Sequence, residues 1–222
     1  MKIAIASMYN EDFKELAKLT HIGNKVKYAE KHGYPISVKT NGFSIEENIN
    51  FSKMRLILDM FNTGIDWVFW LDADAMITNF DIKLESFIDN DYHFILTEDI
   101  NGINAGSFFI RNSKEGREYF QHCLNDAPTY SRIEMYDNKW MWDTYEQYKP
   151  IIKVVQQNRF NSYNYKFYKH YSNRENWDDA YKNGNWNPGD FVIHWPGLHY
   201  NERLIQAKEM VSYVETMGQS TR

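Results

Sequence analysis

Apolar positions along the chain fall into short blocks with two different periods. Residues 2–7, Lys-Ile-Ala-Ile-Ala-Ser, are a run too short for a helix and suited to a strand covered on both faces. The polar stretch 12–31 has helical spacing and stops at Gly33, the residue type that closes helices in the left-handed conformation. Residues 34–38 read as a second strand. Residues 46–61 read as a helix with Met54, Ile57, Leu58 and Phe61 on one face and Gly64 as its stop. The most apolar strand, Trp67-Val68-Phe69-Trp70-Leu71, then runs into Asp72-Ala73-Asp74.

Further strands are predicted at 93–97, 107–111, 151–155 and 190–194, and further helices at 113–124, 137–147 and 201–217. Between them, 156–189 is rich in Asn, Tyr, Trp and Lys with little periodicity and reads as an irregular lobe or lid. Strand alternating with helix predicts an α/β fold with a doubly wound, mostly parallel central sheet and an irregular C-terminal lobe. In such sheets ligands bind at the carboxyl ends of the strands, where Asp72 and Asp74 fall. No repeat or linker divides the 222 residues, so one domain is expected, built of two parts, 1–75 and 76–222.

Composition narrows the function classes. A hydrophobic content of 43% with 25% charge excludes disordered and fibrous chains, and the single Cys123 excludes a disulfide scaffold. With 25 Lys and Arg against 30 Asp and Glu, the net charge of −5 leaves no excess to grip a phosphate backbone, so nucleic acid is not expected as a partner. No apolar run approaches the ~18 residues of a membrane span and no cleavable leader opens the sequence, so the chain reads as soluble. Aromatic residues make up 17%, which suits stacking on flat ligands as well as an aromatic core.

Few residues carry candidate chemistry. Asp72 and Asp74 at a strand exit can converge on one cation, because paired carboxylates repel unless something positive sits between them. Oxygen ligands suit Mg²⁺ or Mn²⁺, which also accept substrate phosphates. His194, before Trp-Pro-Gly, would join them if its strand is a neighbour, and an imidazole shifts the preference toward Mn²⁺. His21, His32, His93, His122 and His170 share no ligand spacing and are expected as packing residues. The small residues 101–107 would let backbone approach a ligand closely. Glu146 and Gln147 end a helix and could aim a carboxylate and an amide into the same cleft.

In their order, five stretches resemble family 34 of the glycosyltransferases, which includes plant xylosyltransferases and fungal galactosyl- and mannosyltransferases. They are Asn24 with residues 28–34, residues 67–75, residues 103–112, residues 157–163 and residues 189–197. The resemblance implies a GT-A fold and a retaining, metal-dependent enzyme that takes a nucleotide sugar, UDP-galactose or UDP-xylose before GDP-mannose, and an oligosaccharide or glycoconjugate acceptor. It makes Asp72 and Asp74 the Asp-x-Asp motif and His194 the third ligand of Mn²⁺, with Mg²⁺ as the alternative. It places Glu146 and Gln147 at the reacting face of the sugar, and lines the sugar or acceptor pocket with Asn104, Ala105, Gly106 and Ser107. Donor binding would involve Tyr9 on the base, Lys53 and Arg55 toward phosphate, and Ala73 and Gly197. Where the family carries Cys and then Lys after the His-x-x-Gly turn, this chain has Leu198 and His199, so His199 would compensate the diphosphate only when protonated. The resemblance also implies a nucleotide-binding half, 1–75, and an acceptor and sugar half, 76–222, and the family's membrane anchor and stem are not expected in this sequence.

Two rival readings stand beside this one. A haloacid-dehalogenase-like phosphatase also uses an Asp-x-Asp pair after an apolar strand, with a Thr or Val two residues on, where this chain has Met76. A catalytically inactive glycan-binding subunit could keep the transferase fold.

Overall fold

A computed structural model describes residues 1–220, with the side chains of 218–220 left undescribed. Six strands form the main sheet: β1 (Ile3–Met8), β2 (Ile36–Lys39), β3 (Trp67–Leu71), β5 (Phe94–Asp99), β6 (Gly102–Arg111) and β7 (Ile152–Val155). Their spatial order is β2-β1-β3-β6-β5-β7, and all run parallel except β6. A second sheet of three short strands has the order β4-β9-β8, with β4 at Ala75–Ile77, β8 at Ser162–Tyr163 and β9 at Val192–His194. The expected mostly parallel sheet is present. The last predicted strand, however, belongs to this second sheet, because β9 pairs with β4 and β8 rather than with β3.

Period-two alternation puts Ala4, Ala6, Val68, Trp70, Phe108 and Ile110 on one face of the main sheet, against α3 (Ser52–Phe61), α4 (Lys114–Tyr130) and α5 (Tyr136–Tyr148). The opposite face, Ile3, Ile5, Trp67, Phe69, Leu71 and Phe109, packs on Tyr28 and Ala29 of α2 (Val26–His32) and on the second sheet. Covered on both sides, β3 is buried at every position, which is why its sequence is continuously apolar. Each such side chain contributes roughly 1.5–3 kcal/mol of burial. Gly33 closes α2 in the left-handed region at φ 74°, as its position predicts.

Two local departures from regular geometry matter for the site. The helix that begins at α1 (Lys14–Ala17) widens to a π-helical stretch, Lys18–Lys25, before continuing as α2. Strand β6 bulges, since Leu96 pairs with Phe108 while the next residue, Thr97, pairs with Asn104. Residues 105–107 of β6 therefore have no partner in β5, and the small-residue segment forms a bulged strand. The irregular segment contains β8, a 3-10 stretch at Tyr165–Tyr171 and α6 (Trp177–Gly184).

Candidate active site

Strand β3 ends at Leu71, and the turn 72–74 carries the chain from the main sheet into β4 of the second. Asp72 N–H donates to Gly106 O (2.9 Å), which fastens the turn to the β6 bulge. In the antiparallel register of β4 and β9, Ala75 lies opposite His194, so the histidine arrives beside Asp74. One ligand atom from each of Asp72, Asp74 and His194 lies within 4.8 Å of the others.

The other edge of β4 is held by the π-helical stretch. Thr20 Oγ1 donates to Ala73 O (2.7 Å), Lys25 Nζ to Ala75 O (2.7 Å), and the Asn24 amide exchanges two 2.8 Å bonds with the N–H and C=O of Ile77. Three helix side chains thus satisfy alternate residues of an edge strand whose polar groups would otherwise lack partners. Lys25 is fully buried, no carboxylate among the described residues forms an ion pair with it, and burial lowers its pKa to about 7.

A chain of amides orients the imidazole. Gly106 N–H can only donate, so its 2.9 Å partner on Asn104 is the carbonyl oxygen Oδ1. That oxygen also accepts from Asn161 Nδ2 (3.1 Å), which leaves Asn161 Oδ1 facing His194 Nδ1 at 2.8 Å. Nδ1 therefore carries a proton. In the neutral ring Nε2 is a bare lone pair, buried 3.3 Å from Asp74 Oδ1 and with no hydrogen-bond partner among the described residues. Two carboxylates and an orphaned imidazole nitrogen within one ion's reach are the donor set that a hard divalent cation of the Mn²⁺ type accepts. Gly106 is required here, because a Cβ would collide with His194 Cε1 and stand 3.0 Å from Asp72 Oδ2.

The two aspartates differ in surroundings. Asp72 Oδ1 accepts from Trp70 Nε1 (2.7 Å) and lies 3.6 Å from Lys53 Nζ. Burial raises its carboxyl above the usual range, with Lys53 opposing and Asp74 adding to the rise. For Asp74 burial also acts upward, but the protonated form of His194 at 3.3 Å and Arg203 at 3.4 Å outweigh it and hold the carboxyl low. Lys53 is buried between Asp137 (2.7 Å) and Ala105 O (3.0 Å); the two nearby carboxylates overcome its desolvation and raise its pKa.

Asp72, Asp74, His194 and Arg203 line a cleft of about 290 Å³ together with Met8, Tyr9, Asn10, Phe13, Ile49 and Asn50. Tyr9, Ala73 and Gly197 all line it. Larger grooves of about 570 and 620 Å³ run past Phe87 and Arg159. Asp72, Asp74 and His194, all in the smaller cleft, are the one His/Cys/Asp/Glu group among the described residues able to share an ion.

Other expected site residues lie elsewhere. Glu146 and Gln147 are exposed, with Glu146 turned to Lys149 (3.4 Å), because at the end of α5 it is Tyr145 and Tyr148 that pack on the core. The start of α5 meets β6 instead: Asn138 Oδ1 accepts from Ala105 N–H (2.9 Å), and Asp137 pairs with Lys53. The signal that could have found Asp137-Asn138 is the same one that suggested 146–147, an acid followed by an amide. Backbone φ values of +70° at Met135 and +47° at Tyr136 mark strain immediately before it. Arg55 is paired bidentately with Glu47, at 2.6 and 2.7 Å. Lys53 is beneath the site rather than in it. His199 is exposed outside the cleft, whereas Arg203, one helical turn on, lines it. Asn104, Ala105, Gly106 and Ser107 are not pocket walls but buried supports, Ser107 Oγ donating to Phe160 O (2.7 Å).

A mixed six-stranded sheet joined by an acidic turn to a small second sheet defines a GT-A type glycosyltransferase fold. A glycosyltransferase involved in glycosylation of the major capsid of PBCV-1 has that fold with a TM-score of 0.71, at 17% identity over 94% of this chain and 100% of the other. The chain belongs to the galactosyl transferase GMA12/MNN10 family, whose model matches residues 3–92 and 87–204. It is 26% identical to an alpha-1,2-galactosyltransferase of Schizosaccharomyces pombe, over 81% of this chain and 56% of that protein. To the probable alpha-1,6-mannosyltransferase MNN10 of Saccharomyces cerevisiae it is 28% identical, over 42% of this chain and 33% of that one. It therefore spans about half or less of these relatives. No helix among the described residues is long and apolar enough to cross a membrane.

Proposed function

We propose that this chain is a retaining, divalent-metal-dependent glycosyltransferase that moves galactose or xylose from a UDP-sugar to a glycan acceptor with α linkage. The observation that carries the proposal is the convergence of Asp72, Asp74 and the partnerless Nε2 of His194 in one cleft. These three would hold Mn²⁺ or Mg²⁺, which when bound supplies positive charge against the departing diphosphate. A galactosyl donor is favoured by the name of the Schizosaccharomyces pombe relative.

The chain's own residues divide the remaining work. Tyr9, at the end of β1, offers a ring for the base within the nucleotide-binding half. Trp70 and Lys53 fix Oδ1 of Asp72, and Asn161 fixes the tautomer of His194, so the ligands are pre-organised. Asn138, anchored to Ala105, takes the role expected of Gln147 beside the sugar. In the transfer, the bond from the anomeric carbon to the diphosphate oxygen breaks, and the acceptor oxygen bonds to that carbon from the same face. The acceptor's proton passes to the leaving diphosphate. A covalent glycosyl-enzyme route is disfavoured, because both described carboxylates lining the cleft belong to the ion site and Glu146 lies outside it. With Asp-x-Asp inside a GT-A fold, nothing supports the phosphatase reading.

Calorimetric titration with UDP and with GDP, each with Mn²⁺ and with EDTA, tests the proposal. UDP binding that needs Mn²⁺ and is lost in Asp74→Asn is the expected result. Metal-independent binding, or a β-linked product by NMR, would overturn it.

A further inference from the structure

Charge balance in the cleft leaves a requirement that the ion site does not meet. Asp72 and Asp74 together carry two negative charges, so a divalent ion between them retains no net charge to attract a nucleoside diphosphate of about three negative charges. Lys53 lies beneath the turn on Asp137, and Lys25 is buried on backbone carbonyls. Among the described residues lining the cleft, Arg203 is the one permanent cation.

Its position is built. Arg203 stands on the first turn of α7 (Tyr200–Ser220), with its guanidinium 5.5 Å from the centroid of the Phe13 ring and Nε 3.4 Å from Asp74 Oδ2. The side chain is only 14% exposed, and its buried Nε has no hydrogen-bond partner among the described residues. Nε is thus set against the ion site in the cleft, and the guanidinium that carries it is the planar fork able to take two phosphate oxygens at once.

We propose that Arg203 binds the diphosphate of the donor and compensates its charge as the sugar leaves. This assignment rests on the reading of the cleft as a nucleotide-sugar site. It gives Arg203 the task that sequence order assigned to His199.

The test uses Arg203→Ala and Arg203→Lys with three probes: Mn²⁺ alone, UDP with Mn²⁺, and uridine with Mn²⁺. In Arg203→Ala, UDP affinity should fall about 10- to 100-fold, the loss of a charged hydrogen-bonding group, while uridine binds within about twofold of wild type. Mn²⁺ alone should bind as well or better, because the guanidinium no longer competes for Asp74. Arg203→Lys keeps the charge without the fork and should fall between. A residue that only braces α7 would weaken all three probes together, and that outcome overturns the assignment. So does UDP binding by Arg203→Ala at wild-type strength. Failure of the wild type to bind UDP with Mn²⁺ instead overturns the nucleotide-sugar reading, and the assignment with it.

Discussion

Gly106→Ala adds one methyl group at the point where three parts of the site meet. An ideal Cβ there collides with His194 Cε1 and sits 3.0 Å from both Asn104 Oδ1 and Asp72 Oδ2. Ordinary carbon contacts begin near 3.5 Å, so the imidazole must retreat by about 1 Å. It has little room to do so. Its Nδ1 is bonded to Asn161, the Tyr163 ring packs edge-on with centroids 5.5 Å apart, and its backbone is in β9. A metal ligand must hold its distance to within about 0.2 Å, so a shift of this size removes His194 from the ligand set. Disturbing a group that merely orients a ligand costs about 10- to 100-fold in metal affinity. Displacing the ligand itself should cost at least about 100-fold, alongside about 1–3 kcal/mol of overpacking strain. Mn²⁺ titration followed by the signal of the free ion measures the first effect, and chemical denaturation in EDTA the second. If folded Gly106→Ala bound Mn²⁺ within about threefold of wild type, the proposed ligand geometry would be wrong.

Three further outcomes are expected. Asn161→Leu removes the acceptor that keeps the proton on His194 Nδ1, and Mn²⁺ affinity should drop about 10- to 100-fold in a titration where Glu146→Gln shows no change. Glu146→Gln and Gln147→Ala should keep transfer rates within about twofold, whereas Asn138→Ala loses most of its rate; equal rates would return the catalytic role to the end of α5. Lys25 titrates near 7 when folded against 10.5 for the free side chain, so between those values the unfolded chain binds more protons. Stability contributed through this group must then rise with pH across that window, by up to about 1.4 kcal/mol per unit. Denaturation of wild type and Lys25→Met in EDTA from pH 7 to 10 isolates the slope; a pH-independent difference would mean that Lys25 is not buried as an amine.

Much of the frame was legible because it depends on local rules. The apolar blocks, Gly33 and the helical spacings placed β1, β2, β3, β5 and β7 within a few residues and found the main helices, though α3 begins only at Ser52 and α4 runs on to Tyr130, and Asp72 and Asp74 were marked by a fully apolar strand ending in carboxylates. His194 was legible as a candidate only on the condition that its strand lay nearby. That condition was met through a second sheet that no periodicity announced, since three-residue strands leave too short a pattern.

Residues 146–147 and 137–138 show where reading in one dimension stops. Both pairs are an acid followed by an amide on one helix, and only the packing of the first turn of α5 against the β6 bulge distinguishes them. The same holds for His199 and Arg203, one helical turn apart, of which the fold turns only the second into the cleft. Sequence by itself determined the elements and the types of chemistry present, because period, turn residues and donor atoms are properties of neighbours along the chain. Which residues share the site was decided by strand register, by a bulge and by a π-helical widening. These set distances between segments far apart in sequence, and a shift of one residue in any of them sends a different side chain to the cleft.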